Sequence, residues 1–229
     1  EASADYLSVL DPVRYEKGQV PVPVRDPNTP AASGPPTQPS VYWGNEPIWT
    51  SKANVHNPMF DGEGRVWFTS RVRGGPNPAF CAAGSTHPSA QAFPATGSAG
   101  RNLAVYDPKT RKVTLIDTCF STHHLQFAED ANNTLWTSSG GGGGIVGWLN
   151  TKMFLETGDE AKSQGWTPLI VDTNGNGKRD AFVESGQPAD PAKDTRVNAA
   201  FYGVTPSPAD GSIWGSVLGF PGSVVRVAP

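Results

Sequence analysis

The chain reads as an all-β protein assembled from repeated antiparallel sheets, and three observations predict this. Gly 26 and Pro 22, with seven Trp spread along 229 residues that are only 37% hydrophobic, suit many short strands joined by many turns and argue against a helix bundle. Residues 124–138, His-Leu-Gln-Phe-Ala-Glu-Asp-Ala-Asn-Asn-Thr-Leu-Trp-Thr-Ser, divide into an alternating run, a polar turn and a second run centred on Trp136. That is the pattern of two antiparallel strands joined tightly. The unit also recurs: upstream as His56-Asn-Pro-Met-Phe-Asp61-Gly-Glu-Gly-Arg-Val-Trp67-Phe-Thr, and more loosely as Tyr202-Gly-Val-Thr-Pro-Ser-Pro-Ala-Asp210-Gly-Ser-Ile-Trp214-Gly-Ser. A repeated supersecondary unit cannot bury its apolar face alone and stacks on its neighbours.

An Asp-Gly turn leading into a small polar residue, an aliphatic, Trp and then Thr or Ser resembles the blade signature of virginiamycin B (streptogramin) lyase-like β-propellers and of related propellers with NHL repeats. The resemblance covers the three blocks and the segments between them, and it implies a β-propeller. Trp67, Trp136 and Trp214 lie 69 and 78 residues apart, beyond the ~40–50 residues of a plain blade, so insertions are expected. Three or four blades are all the chain can supply, against the four to eight of closed propellers. Two alternatives follow: a heavily decorated small propeller, or part of a longer one. Part of a propeller would expose sheet edges and a raw sheet face, calling for a partner or further sequence to complete it.

Taken in order, residues 1–40 are Pro-rich, with Val20-Pro-Val-Pro-Val24 and Ser33-Gly-Pro-Pro36. Proline fixes φ and removes a ladder donor, which predicts an extended surface segment with at most one edge strand. Residues 41–229 form the propeller part, with insertions at 74–100 and 150–198. Trp43 and Trp49 flank a Gly44-Asn45 turn, a hairpin or degenerate blade piece. After the first block comes the insertion that holds Cys81 and His87, followed by the cleanest hairpin, Leu103 to Asp107 and Lys112 to Asp117 around Asp107-Pro-Lys-Thr. The five glycines 140–144 lack the Lys-Ser or Lys-Thr and following helix of a phosphate loop. One short helix is expected within 150–166, with Thr157-Gly-Asp-Glu160 as its capping box and Gly165 ending it.

Net charge is −3 with no basic cluster, so there is no nucleic-acid footprint, and no apolar run is long enough to span a bilayer. The chain opens at Glu1 without Met or signal peptide, which predicts a processed or partial product. Cys81 and Cys119 are either a disulfide, stabilising by roughly 3–4 kcal/mol through loop closure in an exported protein, or two buried thiols. An extracytoplasmic location, periplasmic or secreted, is the expectation.

Two sites stand out. Asp172-Thr-Asn174-Gly-Asn176-Gly-Lys178-Arg-Asp180 sets oxygen ligands at relative positions one, three, five and nine with Gly at six, and Lys178 and Glu184 are counted among the candidate metal residues. Glu184 falls one residue beyond the usual bidentate position, and two Asn in place of Asp reduce the charge. The loop is either a structural Ca²⁺ site or an Asx-rich turn. His56 and His124 lead equivalent strands and are candidates for catalysis at a second divalent metal in a central channel. His123 is expected to point to the other strand face, and the third block offers Phe201, Tyr202 or Gly203 instead of His. The resemblance implies histidines and a glutamate around Mg²⁺ and a β-elimination that opens an ester-linked ring. This chain has no Glu-x-His or His-x-Glu pair, and Glu63 and Glu129 sit in turns. Function is therefore divided between an exported binding or structural module with a calcium-stiffened loop, acting on an unknown small molecule or protein, and a metal-dependent lyase or hydrolase.

Overall fold

The computed structural model describes residues 4–31, 50–139 and 144–229. Residues 41–49 of the hairpin expected at 41–50, and the first four glycines of 140–144, lie outside them. The Pro-rich opening holds two strands, β1 (Tyr6–Asp11) and β2 (Glu16–Pro21), paired antiparallel from Tyr6↔Pro21 to Asp11↔Glu16. This corrects the expectation of at most one edge strand. Pro12 falls in the turn and Pro21 at the last paired position, so neither removes a donor from inside the ladder.

Two four-stranded antiparallel meanders follow in chain order. The first joins β3 (His56–Phe60), β4 (Val66–Ser70), β5 (Asn102–Asp107) and β6 (Lys112–Ile116). Helix α1 (Pro88–Ala92) lies in the connection between β4 and β5. The second joins β7 (Leu125–Phe127), β8 (Thr134–Thr137), β9 (Ile145–Asn150) and β10 (Gln164–Pro168). Its edge strand β10 comes from within the 150–198 insertion, as do β11 (Ile170–Val171), β12 (Phe182–Val183) and β13 (Asp194–Arg196), a small sheet with β12 parallel to β13. The last sheet is β14 (Phe201–Pro206), β15 (Ile213–Val217) and β16 (Ser223–Val227). The all-β class therefore holds.

Between β9 and β10 run two short helices instead of the single one expected, α2 (Thr151–Thr157) and α3 (Glu160–Ser163). Asn150 caps α2 by accepting from Met153 N, and Asp159 caps α3 by accepting from Lys162 N. Thr157 ends α2 instead of starting a helix, because Gly158 takes the left-handed conformation at φ 69° that closes it. Gly165 does not end a helix either; it is paired inside β10.

The turns of the three blocks share one construction. Asp61 Oδ1 accepts from Glu63 N and Arg65 N, Asp130 Oδ1 from Asn132 N and Thr134 N, and Asp210 Oδ1 from Ser212 N. Each turn also has a left-handed residue, Gly64, Asn133 or Gly211. An Asp carboxylate that binds the backbone two residues on acts as a side-chain mimic of the turn itself. Asp61 further accepts from Trp67 Nε1 at 2.8 Å and Arg65 Nε at 2.7 Å.

The sheets stack face to face in chain order. Phe68 and Ala104 pack against Leu7 and Val22 of the first hairpin segment. On the opposite face Trp67, Leu103 and Val105 meet Leu125, Leu135 and Leu149. The far face of the second meander, with Val146 and Trp136, meets Phe201, Val204 and Ile213. The leading strands run side by side, β3 against β7 and β7 against β14. That lateral contact brings the site together.

Candidate metal centre

His56 opens β3, where the register shifts between His56 and Met59 and Asn57 takes φ 48°. The distortion turns the Asn57 side chain toward the neighbouring sheet, and its Oδ1 accepts from Leu125 N at 3.0 Å. His123 and His124 lie in the segment leading into β7. Their backbones are clamped to the end of β8: His123 N donates to Ser138 O, Ser138 N to His124 O, and His124 N to Ser138 Oγ. Thr69 Oγ1 lies within 3.1 Å of His56 O and 3.2 Å of His123 O, tying the two approaches.

These supports bring three imidazoles into one cluster, with a nitrogen from each of His56, His123 and His124 all within 4.8 Å of one another. The Nε2 atoms of His56 and His124 are 3.3 Å apart. His56 and His123 stack with ring centroids at 4.7 Å, and the His123 and His124 centroids are 4.1 Å apart. His123 does not point away, as strand alternation predicted, because β7 begins only at Leu125 and the two-residue period does not reach back to it.

Tyr202, at the equivalent place in the third block, completes the site. Its carbonyl accepts from His124 Nδ1 at 2.9 Å and from Ser138 Oγ at 2.6 Å, and its ring stands edge-on to His124. A proton fixed on Nδ1 leaves the His124 Nε2 lone pair directed into the cluster, the backbone-carbonyl support common for metal-bound histidine. His123 Nδ1 is buried and has no hydrogen-bond partner among the described residues. Burial, followed by Arg101, His123 and His124, lowers the His56 pKa to about 4. Burial also lowers that of His123, with His124 and Arg101 adding to it. Both rings are therefore neutral at pH 7, the state in which imidazole ligates.

The geometry fits a borderline divalent ion. Zinc–nitrogen bonds of about 2.0–2.1 Å in a tetrahedron put neighbouring ligand nitrogens about 3.3 Å apart, which matches the His56–His124 pair. Among the described residues no carboxylate joins the cluster. Hard Mg²⁺ prefers oxygen ligands, so the donor set departs from the one the family resemblance implied. Neither a family model, nor a curated protein, nor a solved structure matches the chain.

The other anticipated residues are placed as follows. Cys81 and Cys119 form a disulfide with Cα atoms 5.4 Å apart, pinning the 74–100 segment to the loop after β6, which is compatible with an extracytoplasmic location. In the 172–180 loop, Asp172 accepts from the backbone N–H groups of Gly175 and Gly177. Asn174 Nδ2 and Asn176 Nδ2 both donate to Asp180 Oδ2, at 2.9 and 2.5 Å. Lys178 N donates to Asn176 Oδ1, while Glu184 pairs with Arg196. Glu63 is exposed and near Lys109. Sequence reasoning passed over Ser138 and the Tyr202 carbonyl as supports. The His-His dipeptide was the one available signal for a third ligand.

Proposed function

We propose that the chain is a metal-dependent enzyme of the lyase or hydrolase class, working at a three-histidine centre on a propeller-type scaffold in an extracytoplasmic compartment. One observation carries the reading: three imidazoles from two different sheets converge, with two nitrogens already at a tetrahedral ligand spacing. Structural zinc sites close all four positions with protein ligands, whereas catalytic ones keep one open for water or substrate. Three histidines with no fourth ligand among the described residues favour the second kind. His56, His123 and His124 would hold the ion, and a bound ion supplies Lewis-acid chemistry, polarising an oxygen or lowering the pKa of water. The Tyr202 carbonyl and Ser138 keep His124 in the ligating tautomer.

Propeller architecture is supported by sheets stacked in chain order with their leading strands adjacent. The lyase-like affinity rests on the block signature, and an extracytoplasmic setting on the disulfide. Titration calorimetry with Zn²⁺ tests the centre. Wild-type protein should take up one ion per chain, and His56→Ala or His124→Ala should weaken uptake by more than about 100-fold, since loss of a mere supporting contact costs 10–100-fold. Unchanged uptake in the doubly substituted, folded protein rejects the reading.

For the loop at 172–180 we propose structural Ca²⁺, on the spacing of the oxygen-bearing side chains of Asp172, Asn174, Asn176 and Asp180 along the loop. Ca²⁺ would displace the bonds that Asn174 Nδ2 and Asn176 Nδ2 donate to Asp180 Oδ2.

A further inference from the structure

Beside the histidines lies a cavity of about 310 Å³, lined in part by Arg71, Arg101, His123, Ser121 and Ser139. Its two guanidiniums are unusual in this molecule. The other partly buried arginines each face a carboxylate: Arg65 faces Asp61, Arg73 faces Asp117 and Arg196 faces Glu184. Arg71 and Arg101 have none among the described residues. Arg71 donates to the carbonyls of Gly100 and Pro30. Arg101 donates to the carbonyl and side-chain oxygen of Asn54. The two also repel, since Arg71 adds to the burial that depresses the Arg101 pKa. Holding like charges together without a counter-charge is costly, in a chain that carries 21 acidic residues and could have supplied one.

The polar groups around them point the same way. Ser139 is only 7% exposed, and its Oγ has no partner among the described residues. Ser121 Oγ accepts from Gly100 N at 2.8 Å, which leaves its own proton to donate. The two guanidiniums and the hydroxyls of Ser121 and Ser139 can all donate into the cavity, and a ligand that satisfies them together brings acceptor oxygens and negative charge. The volume is at the low end for small-molecule sites.

We propose that Arg71 and Arg101, with Ser121 and Ser139, bind the oxyanion group, carboxylate or phosphate, of a small-molecule ligand whose adjoining atoms lie against His123. Anion recognition stands on this cavity alone; its use beside a metal rests on the reading of the three histidines. The test therefore runs on chelated protein, with acetate and inorganic phosphate as separate calorimetric probes, and Zn²⁺ uptake is measured independently on the same variants. Arg101→Gln should weaken binding of the preferred probe about 10–100-fold, the loss expected for a charge-assisted pair worth about 1.5–3 kcal/mol. Arg71→Gln, whose native bonds are only to carbonyls, gives the same reading if Arg101→Gln fails to fold. Preference for acetate assigns a carboxylate, and preference for phosphate assigns a phosphate ester. Failure of both probes to bind the wild type, or binding that both substitutions leave unchanged, overturns the proposal. Loss of Zn²⁺ uptake in wild type with anion binding intact would sink the metal reading and leave this one standing.

Discussion

His56 is kept neutral by its surroundings: burial comes first, and Arg101 and the two neighbouring imidazoles add to it, holding its pKa at about 4. In the unfolded chain an imidazole protonates near 6.5. Between about pH 6.5 and 4 the unfolded state therefore binds a proton that the folded state refuses. The stability His56 contributes is complete above that window and is lost as pH falls through it. His123 shifts the same way. Thermal melts of metal-free protein from pH 7 down to 4 should show a shallower acid decline in His56→Gln than in wild type, and parallel curves would contradict the assignment. At this scale the sequence was partly legible. His56 and His124 could be matched through the repeat, but His123 could not, because the point where the strand begins is set by pairing with β8 and not by local pattern.

At the scale of the element, the turns were the most readable part of the chain. Asp-Gly and its neighbours state a local hydrogen-bond scheme, and the same Asx closure appears at Asp61, Asp130 and Asp210. The hairpin of β5 and β6 was equally plain, since its alternation separates Leu103 and Val105 from Ala104 and Tyr106 onto the two faces that pack differently. Capping was less legible. Thr157 and Glu160 have box spacing, yet Gly158 between them closes one helix before Asp159 opens the next. For the loop at 172–180, Ca²⁺ at a hundredfold above its Kd should stabilise chelated protein by about 2.7 kcal/mol, several degrees in Tm for a chain of this size. Asp172→Ala should remove the effect. A melt indifferent to both chelator and Ca²⁺ would contradict a calcium site there.

Across the whole molecule, the repeated Trp residues record the stacking. Trp67 faces the second meander and is fully buried, and Trp136 faces the last sheet. Trp214 stands at the same place in its block but is 42% exposed, beside Val224 at 68%. Trp67→Ala should cost about 3–5 kcal/mol in denaturant unfolding and Trp214→Ala about 1 kcal/mol or less. Equal costs would mean that the Trp214 face is covered in solution. The stacking also explains what the sequence left hidden. Arg71, Arg101, Ser138 and Tyr202 acquire a role only when separate sheets bring them beside the histidines, and no local spacing encodes that meeting. Zinc K-edge absorption on the loaded, folded chain tests the central claim most directly. The account predicts a first shell with three imidazole nitrogens at about 2.0–2.1 Å, reduced when His124 is replaced by Ala, and a shell of oxygens alone, or one unchanged in that variant, would contradict it.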